Sequence, residues 1–214
     1  MTTATLLLLG DGRFPGGGSA HSGGLEAAVA SGRVTDLDGV ERFLAGRLAT
    51  TGLTDAWLAA STCAGGDPEV LEAECEARCP SPALRAAGRV LGRGLRRAAA
   101  ASWPALAAVR VEQHPVVLGL VAREAGLSPP DAAALAVHGL VAGAVSAAVR
   151  LLPVDMADAA AVAARLAPLA DAVAAEASAV SVGGAAAAGP AWSAPVLEQR
   201  AEEHAAWEVR LFAS

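Results

Sequence analysis

Residues 129–150 read Pro-Pro-Asp-Ala-Ala-Ala-Leu-Ala-Val-His-Gly-Leu-Val-Ala-Gly-Ala-Val-Ser-Ala-Ala-Val-Arg. From Ala132 to Val149 no residue carries a formal charge, a run of 18 residues. A helix that is apolar all round is buried, either in a membrane or in a protein. This run is mostly alanine, includes His138, Gly139, Gly143 and Ser146, and is bounded by Asp131 and Arg150. That composition predicts a core helix and no membrane span. The Gly139-x3-Gly143 step flattens one face and permits the close approach of another helix. His138 beside it reads as a hydrogen-bonded core histidine.

The rest of the chain has the same character. Alanine is the best helix former, and β-formers are sparse. With aromatics at 3%, the core must be built from Ala, Leu and Val, so helices must pack closely. The 214 residues fit one all-α domain spanning 1–214, a bundle of Ala/Leu-rich helices. Sixteen arginines face 22 acidic residues, a net charge of −6, which is not the footprint of a nucleic-acid binder.

Punctuation divides this helical chain. Leu6–Leu9 reads as a short helix, followed by a Gly-rich loop over 10–24 and a helix over Leu25–Ser31 closed by Gly32. Thr35-x-x-Asp38 resembles a capping arrangement before a face of Leu37, Val40, Phe43, Leu44 and Leu48. Gly52 bends or ends that helix, and Thr54 restarts it. Asp67-Pro68 and Ser81-Pro82 are helix starts, each a capping side chain followed by proline. The first opens an acidic helix, and the second a helix to Trp103 with Leu84, Leu91 and Leu95 inward. His114-Pro115 opens a helix closed by Gly126. Asp155 starts a long helix to Val180, bent at Pro168. Residues 181–195 are a flexible connection by composition, and 196–214 hold a last helix, to Phe212, with a tail.

Several features invite chemistry. Arg85, Arg89, Arg93 and Arg97 recur every four residues and form one stripe, either a solvated face paired with the acidic helix or a dock for an acidic partner. Cys75-x3-Cys79 could contribute two thiolates to a soft metal but does not complete a tetrahedral site, and Cys63 makes the count odd. Small reduced thiols in a cytoplasmic protein are the reading here. There is no Gly-x-Ser-x-Gly, no His-Glu-x-x-His and no CxxC, and a chain without lysine has no P-loop.

The loop Asp11-Gly-Arg-Phe-Pro-Gly-Gly-Gly-Ser-Ala-His-Ser-Gly-Gly-Leu-Glu26 supports three readings. Gly16–Gly18 could offer backbone N–H groups to an anion, which with His21 would suit a small-molecule or anion-binding enzyme. His21 could ligate a metal, though no second ligand stands at helical or hairpin spacing. The third reading is a tight turn that caps a helix and fills a groove.

His21-Ser22-x-Gly24-Leu25-Glu26 after a proline and glycine turn, together with the end Arg210-Leu211-Phe212-Ala213-Ser214, resembles the urease accessory protein UreF family. His114-Pro115-Val116-Val117-Leu118-Gly119 is the best internal match. One position departs: Glu208 stands where the family commonly carries tyrosine. The resemblance implies an all-helical, dimeric protein that is not an enzyme and holds no cofactor. It implies a scaffold that joins a UreD/UreH-like protein and the GTPase UreG, so that nickel is inserted into the urease apoprotein. His21, Ser22, Gly24, Leu25 and Glu26 would then shape a partner or dimer face. Arg210, Leu211, Phe212 and Ser214 would dock the UreD/UreH-like protein from an exposed tail.

Overall fold

A computed structural model describes residues 3–181 and 189–213. Within them every regular element is helical and no strand occurs, so the fold is all-α. The α-helices are α1 (Thr3–Gly10), α2 (Leu25–Ala30), α3 (Leu37–Arg47), α4 (Leu53–Cys63), α5 (Pro68–Ala77), α6 (Pro82–Ala100), α7 (His114–Glu124), α8 (Pro129–Leu151), α9 (Met156–Ser181) and α10 (Pro195–Ala205). The connection at 181–195 falls partly, and Ser214 wholly, outside the described residues.

α4 is the axis of the bundle. All but one of its residues are buried, the exception being Asp55, and α7, α8 and α9 pack around it. Alanine allows this spacing: Ala56, Ala59 and Ala60 on α4 meet a partner set that includes Ala133, Ala144, Ala148 and Ala177, all buried. Gly119 carries the idea furthest. A Cβ there would lie 2.6 Å from the Thr62 side chain and run into the Ala59 carbonyl, so only glycine lets α7 come this near α4.

The helix starts lie where side chains can cap them. Asp67 accepts from Glu69 N and Val70 N, Ser81 from Leu84 N, and Ser128 with Asp131 forms a reciprocal capping box. At α3 the cap is Asp36, which accepts from Gly39 N at 2.7 Å, rather than Thr35. Between α3 and α4 the chain does not break at Gly52. Residues Leu48–Gly52 form a π-helical turn, so 37–63 is one continuous helix with a bulge.

Three other expectations change. α6 ends at Ala100, and its buried positions are Gly92, Leu95 and Ala99, with Leu84 and Leu91 only half-buried. The last helix stops at Ala205 and the chain to Phe212 is non-helical, because Trp207 and the residues after it turn back toward α2. The approach that the glycine step of α8 permits is not taken up among the described residues, since a Cβ on Gly139 or Gly143 would meet nothing within 4 Å. His138 is exposed on that same face and bonds the Gly10 carbonyl at 2.9 Å. α8 is long and apolar enough to cross a membrane by length and composition, yet Ala132, Ala133, Val137, Val141, Ala144 and Ala148 are buried in the bundle.

Candidate functional site

The two ends of the chain meet at Glu26. Gly23 and Gly24 adopt positive φ, +62° and +88°, and turn the loop into α2. Neither can carry a side chain: a Cβ on Gly23 would strike the Arg47 guanidinium, and one on Gly24 would strike Leu197 of α10. Ser22 Oγ accepts from Glu26 N at 3.2 Å and starts the helix. Leu25 is fully buried, and His21, Ser22 and Glu26 are buried beside it.

A buried carboxylate needs compensating donors. Glu26 obtains them from the far end of the sequence. His204 Nε2 lies 2.8 Å from Oε2, Leu211 N donates to Oε1 at 2.8 Å, and Phe212 N donates to Oε2 at 3.0 Å. Burial works to raise the Glu26 pKa, but the bonds from Leu211, His204 and Phe212 overcome it and hold the carboxyl below its ordinary value. Ala213 N adds a bond to the Ala20 carbonyl at 2.8 Å. Phe212 is 4% exposed, with the Arg150 guanidinium 4.5 Å from its ring centre. The expected free tail is therefore corrected. Phe212 belongs to this chain's own core, because Glu26 captures the backbone N–H groups of Leu211 and Phe212 and the Ala20 carbonyl captures that of Ala213.

What remains in solvent is the outer edge of the tail. Val209 is 85% and Leu211 60% exposed, and Arg210 is exposed between them. α10 below is fixed separately: Glu202 accepts from Ser81 Oγ and, at 2.9 Å, from Ala83 N at the start of α6.

Behind His21 lies a half-open chamber of about 180 Å³. Arg47, Thr51, Thr54, Asp55 and Leu58, successive residues of one face through the π turn, form one wall. Arg47 Nη1 bonds the Gly23 carbonyl at 2.9 Å, while Arg47 Nε and Thr51 Oγ1 are buried with no bonding partner among the described residues. Burial pushes Asp55 up to about 6 against the opposing charge of Arg47. Burial, then the nearby His21, pushes His114 down to about 4. Burial also lowers His21. The sequence reading missed Arg47 and Asp55. Their signal was a pair of opposite charges eight residues apart on a helix face whose other members, Thr51, Thr54 and Leu58, carry no charge.

The arginine stripe is mostly spent internally. Arg85 bonds the Cys79 and Pro80 carbonyls, Arg89 pairs with Glu76 on the acidic helix, and Arg93 pairs with Glu112 at 2.8 Å. Arg97 is exposed. The Gly16–Gly18 turn rests on α6, with Gly16 against Leu95 and its carbonyl against Gly94. Cys63, Cys75 and Cys79 are unpaired thiols, and burial raises all three, Cys63 to about 11. No three His, Cys, Asp or Glu side chains among the described residues are gathered to hold a metal ion.

Comparison with known proteins covers both the core and the ends. The UreF family model matches residues 34–167. The urease accessory protein UreF of Mycobacterium sp. (strain JLS) is 43% identical over the whole of this chain and 99% of its own length. That of Mycolicibacterium vanbaalenii is 42% identical over 99% of this chain and 98% of its own. That of Mycobacterium tuberculosis (strain H37Rv) is 40% identical over 82% and 85%.

Proposed function

Because the chain belongs to the UreF family of urease accessory proteins, we propose that it is a non-enzymatic scaffold of urease maturation. In this reading it joins a UreD/UreH-like protein and the GTPase UreG on the urease apoprotein, with nickel as the cargo and the cytoplasm as the site of work. The observation that supports it most is the joint formed at Glu26. One buried carboxylate holds both motif segments, and so presents Val209, Arg210 and Leu211 as a fixed, exposed surface. Preorganisation matters because ordering a loose tail would consume binding energy. An arginine between two exposed aliphatic side chains suits a small interface anchor.

His21, Ser22, Gly24 and Leu25 serve this surface from beneath, by position rather than by contact with the partner. A homodimer completes the proposal. α1 has no buried residue, and its Leu7 and Leu8 are 67% and 51% exposed, an apolar face that a second copy would cover. Arg93 and Arg97 would add charge for an acidic partner, as a secondary contribution.

The test is Val209→Glu with Leu211→Glu, both solvent-facing. The double variant should fold as the parent does and fail to co-purify with the UreD/UreH-like protein. Full retention of that complex would remove the tail edge from the docking surface.

A further inference from the structure

A second surface, on the other side of α2, has the chemistry of a peptide groove. α3 and the π turn present Gly39, Arg42, Phe43, Gly46, Arg47 and Thr50 along one face, in groups one helical turn apart. Across from it stands the start of α10, with Val196 53% exposed and Leu197 buried beneath. Between these walls lies an open groove of about 400 Å³, floored by Gly24, Ala28 and Val34. Gly39 and Gly46 remove two side chains from the α3 wall, which leaves Phe43 standing between shallow steps. An apolar trough of this form accepts anchors spaced along a helix or an extended segment.

The charges around it are one-sided. Arg33, Arg42, Arg47 and Arg200 line the groove, and no Asp or Glu among the described residues does, in a chain whose net charge is −6. Arg200 is committed to Glu203 and Arg47 to the Gly23 carbonyl. Arg33 and Arg42 are exposed and make no ion pair among the described residues. Elsewhere among the described residues, five other ion pairs place arginine against a nearby carboxylate on its own chain, as at Arg89–Glu76 and Arg165–Glu41. Two free guanidinium groups on the rim of an apolar trough complement an acidic segment that carries an apolar anchor.

We propose that the groove between α3 and α10 docks an acidic, amphipathic segment of a partner protein, its apolar residues on Phe43 and Val196 and its carboxylates on Arg33 and Arg42. The site is distinct from the Val209–Leu211 edge and does not depend on it.

Selection of a random peptide library on the full-length protein tests this without choosing a partner in advance. The enriched peptides should alternate Asp or Glu with Leu, Ile or Phe. A synthetic peptide of the enriched sequence should bind more weakly as salt rises. Arg33→Glu with Arg42→Glu should lower its affinity about tenfold or more, and Phe43→Ala should lower it with less salt dependence. Both arginines are solvent-facing, and circular dichroism of the double variant should match the parent. Four outcomes overturn the proposal: no enrichment, enriched peptides without acidic residues, affinity indifferent to the Arg33 and Arg42 changes, or equal displacement by inorganic phosphate. Vesicles of anionic lipid that bind with the same arginine dependence, while peptides do not, would assign the surface to a membrane instead.

Discussion

Glu26 is the residue on which the two ends of the chain depend. Glu26→Gln keeps the shape but removes the charge that Leu211 N, Phe212 N and His204 share. Hydrogen bonds to a charged group are worth about 1.5–3 kcal/mol each, so the tail should open far more often. Hydrogen exchange should speed up at Leu211 and Phe212 by roughly tenfold or more, with α4 and α8 still protected; unchanged exchange at the tail would contradict this. The chamber offers a second residue-level test, because Asp55 and His114 titrate with opposite consequences. Asp55 has a raised pKa of about 6, so the folded state holds more protons than the unfolded between roughly pH 4 and 6, and its contribution to stability falls as pH rises. His114 has a lowered pKa of about 4, so the unfolded state holds more protons between about pH 4 and 6.5, and stability falls as pH drops. Relative to the parent, Asp55→Asn should gain stability from pH 4 to 7 and His114→Gln from pH 7 to 4. Each change should amount to up to about 3 kcal/mol, read by denaturant unfolding. Two curves of the same slope would refute the assignment.

Helices α4 and α7 show what glycine does in an alanine-rich bundle. Gly119→Ala places a methyl group against the Ala59 carbonyl and Thr62. Overpacking of this kind costs about 1–3 kcal/mol, more than the roughly 0.5–1 kcal/mol that alanine returns in helical preference. Thermal unfolding should therefore drop, and an unchanged midpoint would mean that the two helices are not in contact there. The helices themselves were legible in the sequence, since Asp67-Pro68, Ser81-Pro82 and the alanine runs act through local chemistry. The π turn at Leu48–Gly52 was not, because nothing local distinguishes it from a helix end beside Gly52, and the burial of Leu48 and Gly52 within it shows only in the fold. The glycine step of α8 stated what could approach, and only the fold shows that nothing among the described residues comes within 4 Å of a Cβ there. The arginine stripe and its pairing with the acidic helix were legible, and Arg89–Glu76 on α5 realises that pairing, whereas the Glu112 partner of Arg93 is reached only through the fold. Reversing Arg89 and Arg93 to Glu should cost up to about 1 kcal/mol per lost surface pair and leave the helical content unchanged by circular dichroism.

Across the whole molecule, the chain closes on itself: residues 20–26 meet 204–213, and the remainder is the bundle that brings them together. Both segments were visible in the sequence as motifs, but their joining was not, because a contact over 186 residues leaves no periodicity to read. Deletion of Arg210–Ser214 is accordingly a poor probe of docking, since it also removes buried Phe212, worth roughly 1.5–3 kcal/mol of burial. The central claim is that the bundle fixes an exposed tail edge for a urease-maturation partner. Co-expression of the Val209→Glu, Leu211→Glu chain with the UreD/UreH-like protein, followed by affinity purification beside the parent chain, tests it most directly. The account predicts that the variant is folded and soluble, with Phe212 still buried, and recovers little or no partner. A folded variant that recovers as much partner as the parent would contradict it.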